Sequence, residues 1–335
     1  MYRKIMGFLE AWKESEHRKP LILQGARQVG KTYSILEFGR THYENVAYFN
    51  FETNPKLNET FEENISPDYL IPILSHIAGQ TIVKEKTLIV FDEVQLCERA
   101  LTSLKYFCEN APDYHIIVAG SLLGVAVNRA KFSFPVGKVD MKTLYPMDME
   151  EFMLALGEDD LVEQIKKCFQ TDTPLPSALH DAAMQLYRQY LVVGGMPECV
   201  MQFAETKDYI LVRHTQDTIL ASYLNDMSKY NNLNEIKKTR LAYDNITVQL
   251  SKKNTRFQYK LIKKGGRASE FENAIEWLCL SGIVSQVYKV EQIKKPLENY
   301  RDIDAFKIYV SDLGLLCAKK DLAANDILYM VEEIS

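Results

Sequence analysis

The chain has 335 residues, 47% of them hydrophobic and 25% charged, with a formal net charge of −5, a balance that suits a globular protein of two or three domains. Its six cysteines are scattered without a C-x-x-C pair and its six histidines are dispersed, which excludes a disulfide frame and argues against a zinc or histidine metal centre. The start of the chain lacks the apolar core of a signal peptide and no run reaches the ~18 apolar residues of a membrane span, so a cytoplasmic location is expected.

The chain opens on a short amphipathic segment ending in Lys13, Glu14 and Glu16, and then an apolar strand, Leu21–Gln24, runs into Gly25. From Gly25 the residues read G-x-x-x-x-G-K-T, through Ala26, Arg27, Gln28, Val29, Gly30, Lys31 and Thr32. That spacing predicts a phosphate-binding loop. The glycines let the backbone turn and aim its N–H groups at the phosphates, Lys31 adds a point charge for the γ-phosphate, and the Thr32 hydroxyl is placed to ligate Mg²⁺. A helix over 33–43, starting with Tyr33, points its dipole at the same anion. Tyr33 therefore joins the nucleotide-contacting set with residues 25–32.

Residues 46–52 read as a strand, followed by helices over 54–64 and 67–78. Thr87 to Phe91 is then an apolar run ending in Asp92 and Glu93, the pattern of a strand buried on both faces of a parallel sheet. Placed beside the phosphate-loop strand, Asp92 orients Mg²⁺ and Glu93 polarises the attacking water, a general-base effect worth about 10²- to 10⁴-fold. The competing reading makes both acids caps for a helix over 99–110. Another apolar strand, 114–120, leads into Ser121, which either contacts the γ-phosphate or is an ordinary serine in a glycine-containing turn. Strands alternating with helices imply an α/β fold with a parallel sheet and its ligand at the carboxyl ends of the strands. No N-K-x-D or T-K-x-D element follows, so adenine is favoured over guanine; an L-S-G-G-Q signature and a second phosphate loop are also absent.

Residues 136–145 read as one more strand, and helical structure starting at Pro146 and Asp148 runs with breaks to about Tyr230. Gly194-Gly195-Met196-Pro197 interrupts it, read either as a helix stop with Pro in the next first turn or as a turn set against the nucleotide base. The last third has the look of a winged helix: helices over 233–252 and 270–281, a strand over 282–290, a turn-like stretch 296–304 and a returning strand 306–310. Charge is uneven here. Residues 229–274 carry eleven Lys and Arg against four acids, a net +7 that leaves −12 for the rest. This block suggests DNA or a protein partner; a solvated face, or docking on the acidic core, competes with it.

The set LILQGARQVGKT, LIVFDEVQ, IIVAGSLLG, FPVGKVDMKTLYPMDMEEF, YLVVGGMPECV and FQYKLIKKGGRASEFENAIEWLCLSGIV resembles the bacterial and archaeal AAA-type ATP-binding proteins with a C-terminal domain of unknown function. These are grouped near the signal-transduction ATPases that carry a Gly-x-Pro element. The resemblance implies an ASCE-type P-loop core over 1–147, a helical lid over 148–230 and a winged-helix-like domain over 231–335, with ATP and Mg²⁺ as ligands. It carries over Lys31, Thr32, Asp92, Glu93 and Ser121, with Pro197 as a base contact. Many relatives continue into a nuclease-like tail; this chain stops at Ser335 without that motif, so no nuclease activity is expected of these residues. Relatives often have Gly-Arg where Gly137-Lys138 stands here. Lys138 is then either a solvated strand residue or a charge-stabilising finger without the planar fork of Arg, with Arg27, Arg99 and Arg129 as other candidates. Two functions follow: a slow Mg-dependent ATPase that moves lid and winged helix, or a nucleotide-gated switch with little intrinsic hydrolysis, acting alone or as a homo-oligomer.

Overall fold

A computed structural model describes residues 1–120, 134–229, 233–252 and 256–329. The chain divides into two compact units, Arg3–Tyr145 and Pro146–Ser335 with Met1–Tyr2.

In the first unit, β1 (Leu21–Gln24), β2 (Asn45–Asn50), β3 (Thr87–Asp92), β4 (His115–Gly120) and β5 (Asp140–Thr143) form a sheet of order β2-β3-β4-β1-β5. Every pairing in it is parallel. The Asp92–Glu93 strand is therefore not beside the phosphate-loop strand, as the sequence suggested; β4 lies between them, with Ile117 opposite Leu21 on one side and Val90 on the other. Composition explains the order. All six residues of β3 and of β4 are buried, whereas β2 and β5 expose part of their length, so the apolar strands take the interior and the polar ones the edges. The sheet packs through Ile22, Phe49, Ile89, Phe91 and Val118 against Leu57, Phe61, Leu74, Leu104 and Phe107 of the flanking helices.

The helix Pro67–Ala78 shows how local sequence sets these boundaries. Ser66 is extended, Pro67 takes the first turn where its missing N–H costs nothing, and Gly79 ends the helix at φ 64°. The strand expected over 136–145 is shorter than its apolar pattern suggested. Gly137 has φ 73° and Lys138 N–H closes a turn onto Pro135, so extended structure starts only at Asp140.

The second unit begins with a capping box, Asp148 accepting from Glu151 N–H and Glu151 from Asp148 N–H. Helices Ser177–Val193, Pro197–Thr206 and Tyr209–Lys229 follow. After them come helices Leu233–Leu250, Tyr259–Ile262 and Ala268–Leu280, then an antiparallel pair of β6 (Val284–Val290) and β7 (Arg301–Val310). The returning strand thus begins five residues before the position that periodicity indicated, past an irregularity at Tyr288/Lys289. Phe257 N–H also bonds the Phe306 carbonyl. Helices Leu313–Lys319 and Ala324–Leu328 pack back on Ser177–Val193. Among the described residues no helix is long and apolar enough to cross a membrane.

Candidate nucleotide-binding site

The loop after β1 is shaped by backbone requirements. A Cβ on Gly25 would lie 2.2 Å from the Leu144 carbonyl oxygen, because Leu144 N–H bonds the Gln24 carbonyl at 2.8 Å and draws the chain after β5 alongside. Only glycine fits there. Gln28 (φ 66°) and Gly30 (φ 89°) are both left-handed, turning the chain into the helix Lys31–His42, whose amino end has no side-chain cap. Its first N–H groups have no partner within the helix, the arrangement that suits an anion.

Lys31 is buried, and its Nζ donates to the carbonyls of Gly25 (3.0 Å) and Ala26 (2.8 Å). Burial pushes its pKa down to about 8, opposed by the nearby charges of Glu93 and Asp92. Thr32 Oγ1 donates to Asp92 Oδ2 at 2.8 Å, so the loop and the end of β3 meet in one place. Tyr48 OH, on β2, donates to the same oxygen at 2.7 Å, and Asn50 Nδ2 to Tyr48 OH at 3.2 Å. Asp92 Oδ1 accepts from Glu93 N–H at 3.0 Å. Glu93 itself is left-handed, with φ 51°, and Gln95 Nε2 donates to its Oε2. Neither acid caps the following helix: Glu98–Asn110 begins after Cys97 and has no side-chain cap. A hydroxyl and a carboxylate oxygen are hard donors that fit Mg²⁺. Among the described residues no group of three or more His, Cys, Asp and Glu could hold a metal by itself, so the remaining ligands at this place would be water and phosphate oxygens.

Residues 17–153 match the family described as AAA domain, and residues 184–326 match a domain of unknown function (DUF8612). Residues 17–153 are thus similar to an AAA domain, and the five-stranded parallel sheet they build has the P-loop NTPase fold. No protein of curated description matches it. Among solved structures it is similar to the Walker-type ATPase PABY2304 of Pyrococcus abyssi, at 13% identity over 95% of each chain and a TM-score of 0.58. It is also similar to the ORC2 protein of Aeropyrum pernix, solved as ADPNP–ADP complexes, at 13% identity over 98% of this chain and 94% of that one, with a TM-score of 0.46. At 13% identity the likeness to the Pyrococcus abyssi protein shows the fold alone, that of a P-loop NTPase.

Other residues singled out in the sequence fall differently around the AAA domain. Ser121 and Arg129 lie outside the described residues; Gly120, just before Ser121, pairs with Gln24 at the loop end of the sheet. Lys138 precedes β5 and binds Glu109 at 2.9 Å. Asp140 is level with Leu21, the first residue of β1, so Lys138 stands beyond the amino-terminal end of the strands, the end of the sheet opposite the loop. Arg99 Nε donates to the Phe61 carbonyl at 2.7 Å. Tyr33 is 55% exposed beside the loop. Pro197 takes the first position of its helix. The preceding turn is filled from within its own unit: a Cβ on Gly195 would lie 1.9 Å from the Met147 carbonyl oxygen, and one on Gly194 2.3 Å from Asp312 Oδ1. Tyr48, Gln95 and Arg3 were not foreseen. Alternation along β2, with Ala47 and Phe49 buried and Tyr48 and Asn50 on the other face, marks Tyr48 as polar-facing, but its partner depends on the strand order. Arg3 carries no sequence signal at all.

Proposed function

We propose that this chain is a cytoplasmic, Mg-dependent ATPase of slow turnover whose hydrolysis moves residues 148–230 as a lid and 231–335 as a winged-helix-like domain. The observation that carries the reading is the 2.8 Å bond between Thr32 Oγ1 and Asp92 Oδ2, with the buried Lys31 beside it. It brings the residue types that hold a phosphate and a hard cation to one place at the carboxyl ends of the strands. Residues 25–33 would cradle the phosphates and Lys31 would follow the γ-phosphate. Thr32 and Asp92 would hold Mg²⁺, which when bound neutralises charge on the phosphates. Glu93 would accept the proton of the attacking water, Ser121 would contact the γ-phosphate, and Pro197 would pack on the adenine.

Single-turnover hydrolysis by the purified protein tests this. Glu93→Gln is expected to retain ATP and lose about 10²- to 10⁴-fold in rate, and Lys31→Ala to lose ATP binding. Equal rates in wild type and Glu93→Gln would remove Glu93 from its role.

A second reading, a nucleotide-gated switch, is favoured by the position of Lys138, which is paired with Glu109 at the end of the sheet opposite the loop. A stabilising cation for hydrolysis would then come from a second protomer or a partner, and hydrolysis without it would be rare. In either reading the basic residues of 229–275 are a candidate surface for DNA: Lys237, Lys252, Lys260, Lys264 and Arg267 are exposed. Duplex binding through them would weaken with salt by about 0.9 log units per log unit for each phosphate contact. Binding that ignores salt would overturn it.

A further inference from the structure

Arg3 is 3% exposed, and its guanidinium makes two long-range bonds to backbone carbonyls. Nη1 donates to the Val29 carbonyl at 2.9 Å and Nη2 to the Tyr145 carbonyl at 2.8 Å. Val29 belongs to the phosphate loop, one residue before the left-handed Gly30. Tyr145 is the last residue of the first unit and Arg3 is its first, so the chain passes between units at Tyr2–Arg3 and at Tyr145–Pro146. One side chain thus ties the phosphate loop to Tyr145, all within the first unit.

Burying a guanidinium is costly unless its donors are satisfied, and here it satisfies carbonyls that no secondary structure uses. The planar fork matters, because two acceptors at a fixed angle suit Arg and not the single ammonium of Lys. The loop is held at its start by the Leu144 N–H on the Gln24 carbonyl and near its end by Arg3. Both ties lead to the same short stretch, Leu144–Tyr145.

We propose that Arg3 is a positioning residue for the phosphate loop, fixing the Val29 carbonyl so that the following N–H groups face the phosphates, and that it couples the loop's state to the backbone around Tyr145. This rests on the nucleotide-binding reading above. The test uses the full chain, Arg3→Ala and Arg3→Lys, with a fluorescent ATP analogue in magnesium and amide hydrogen exchange with and without ATP. Losing a charge-assisted bond of this kind corresponds to about ten- to a hundredfold in affinity. Arg3→Ala is expected to weaken the analogue by that factor, and Arg3→Lys by less. In wild type, ATP is expected to slow exchange at 26–34 and also at 144–148; in the variants the protection at 26–34 returns at saturating ATP and that at 144–148 does not. A purely structural role would lower basal stability without uncoupling those two segments. If Arg3→Ala does not fold, Arg3→Lys carries the same comparison. Wild-type affinity together with retained protection at 144–148 in the folded variant overturns the proposal alone; a wild-type protein that binds no nucleotide overturns the binding reading and this inference with it.

Discussion

Lowering the pH from 7 to 5 is expected to stabilise the second unit through Asp312. This carboxylate is 4% exposed. Its Oδ2 accepts from Gly195 N–H at 2.6 Å and its Oδ1 from Leu315 N–H at 2.8 Å, joining the Gly194-Gly195 turn to the start of the helix Leu313–Lys319. Burial raises its pKa to about 6 from an ordinary 3.8, against the lowering effect of those backbone donors. The folded protein therefore binds a proton between pH 3.8 and 6 that the unfolded chain does not, so stability falls as pH rises through that window. At ~1.4 kcal/mol per pH unit, ionisation costs about 3 kcal/mol at neutral pH, and about 1 kcal/mol of this is recovered on moving from pH 7 to 5.

The two tryptophans make the measurement specific. Trp12 lies in the first unit and Trp277 in the second, both buried, so in a Trp12→Phe background fluorescence follows the second unit alone. Urea unfolding at pH 5, 6 and 7 is to be compared in that background with and without Asp312→Asn. The amide cannot ionise, so the slope attributed to Asp312 should vanish, and carboxylates elsewhere, such as the exposed Glu109 held low by Lys138, cancel in the difference. An identical pH slope in both proteins would refute the reasoning.

Gly195→Ala is expected to destabilise the same Trp277 transition by about 3 kcal/mol or more, since its Cβ would enter the Met147 backbone; a loss under about 1 kcal/mol would contradict the geometry. Gly25→Ala is expected to leave the fold of the first unit intact by circular dichroism and to weaken ATP at least about tenfold, because the loop must shift away from the Leu144 carbonyl. Tyr48→Phe removes one of the two hydroxyls on Asp92 Oδ2. Turnover should drop about tenfold with ATP affinity within about twofold, and an unchanged rate would make Tyr48 a bystander.

Much of the first unit is legible because its information is local. The glycine spacing of 25–32, the apolar run into Asp92 and the serine–proline entry at 66–67 each fix a backbone conformation within a few residues. Strand order is a different matter. Nothing near residue 92 tells which strand will pair with it; the burial of β4 on both sides decides that, and it is a property of the whole sheet. Arg3 and Val29 are 26 residues apart and Arg3 and Tyr145 are 142 apart, so no window along the chain contains the clamp. The Gly194-Gly195 turn shows both halves at once. Its glycines announce a helix stop, while the reason that two are needed, the Met147 backbone and Asp312, lies 48 and 117 residues away. Gly137 works the other way: set among β-branched residues that favour a strand, it turns the chain at φ 73° and delays extended structure to Asp140.

The polar groups of the site are bonded to one another, and the pattern of those bonds constrains what can replace them. Lys31 sits on two loop carbonyls, Thr32 on Asp92, and Gln95 on Glu93. A phosphate oxygen is a stronger acceptor for an ammonium than a carbonyl is, so an anion alone could draw Lys31 off the loop. It would leave Asp92 where it is, since a carboxylate gains nothing from a second negative charge. A hard cation alone competes for the Asp92 oxygen but meets the Lys31 charge nearby. Only a ligand that brings anion and cation together compensates both exchanges, because each charge then shields the other from the repulsion it would meet alone. The selectivity for a metal–phosphate complex would therefore follow from how Lys31, Thr32 and Asp92 are already paired, before any contact with a base or a sugar is considered.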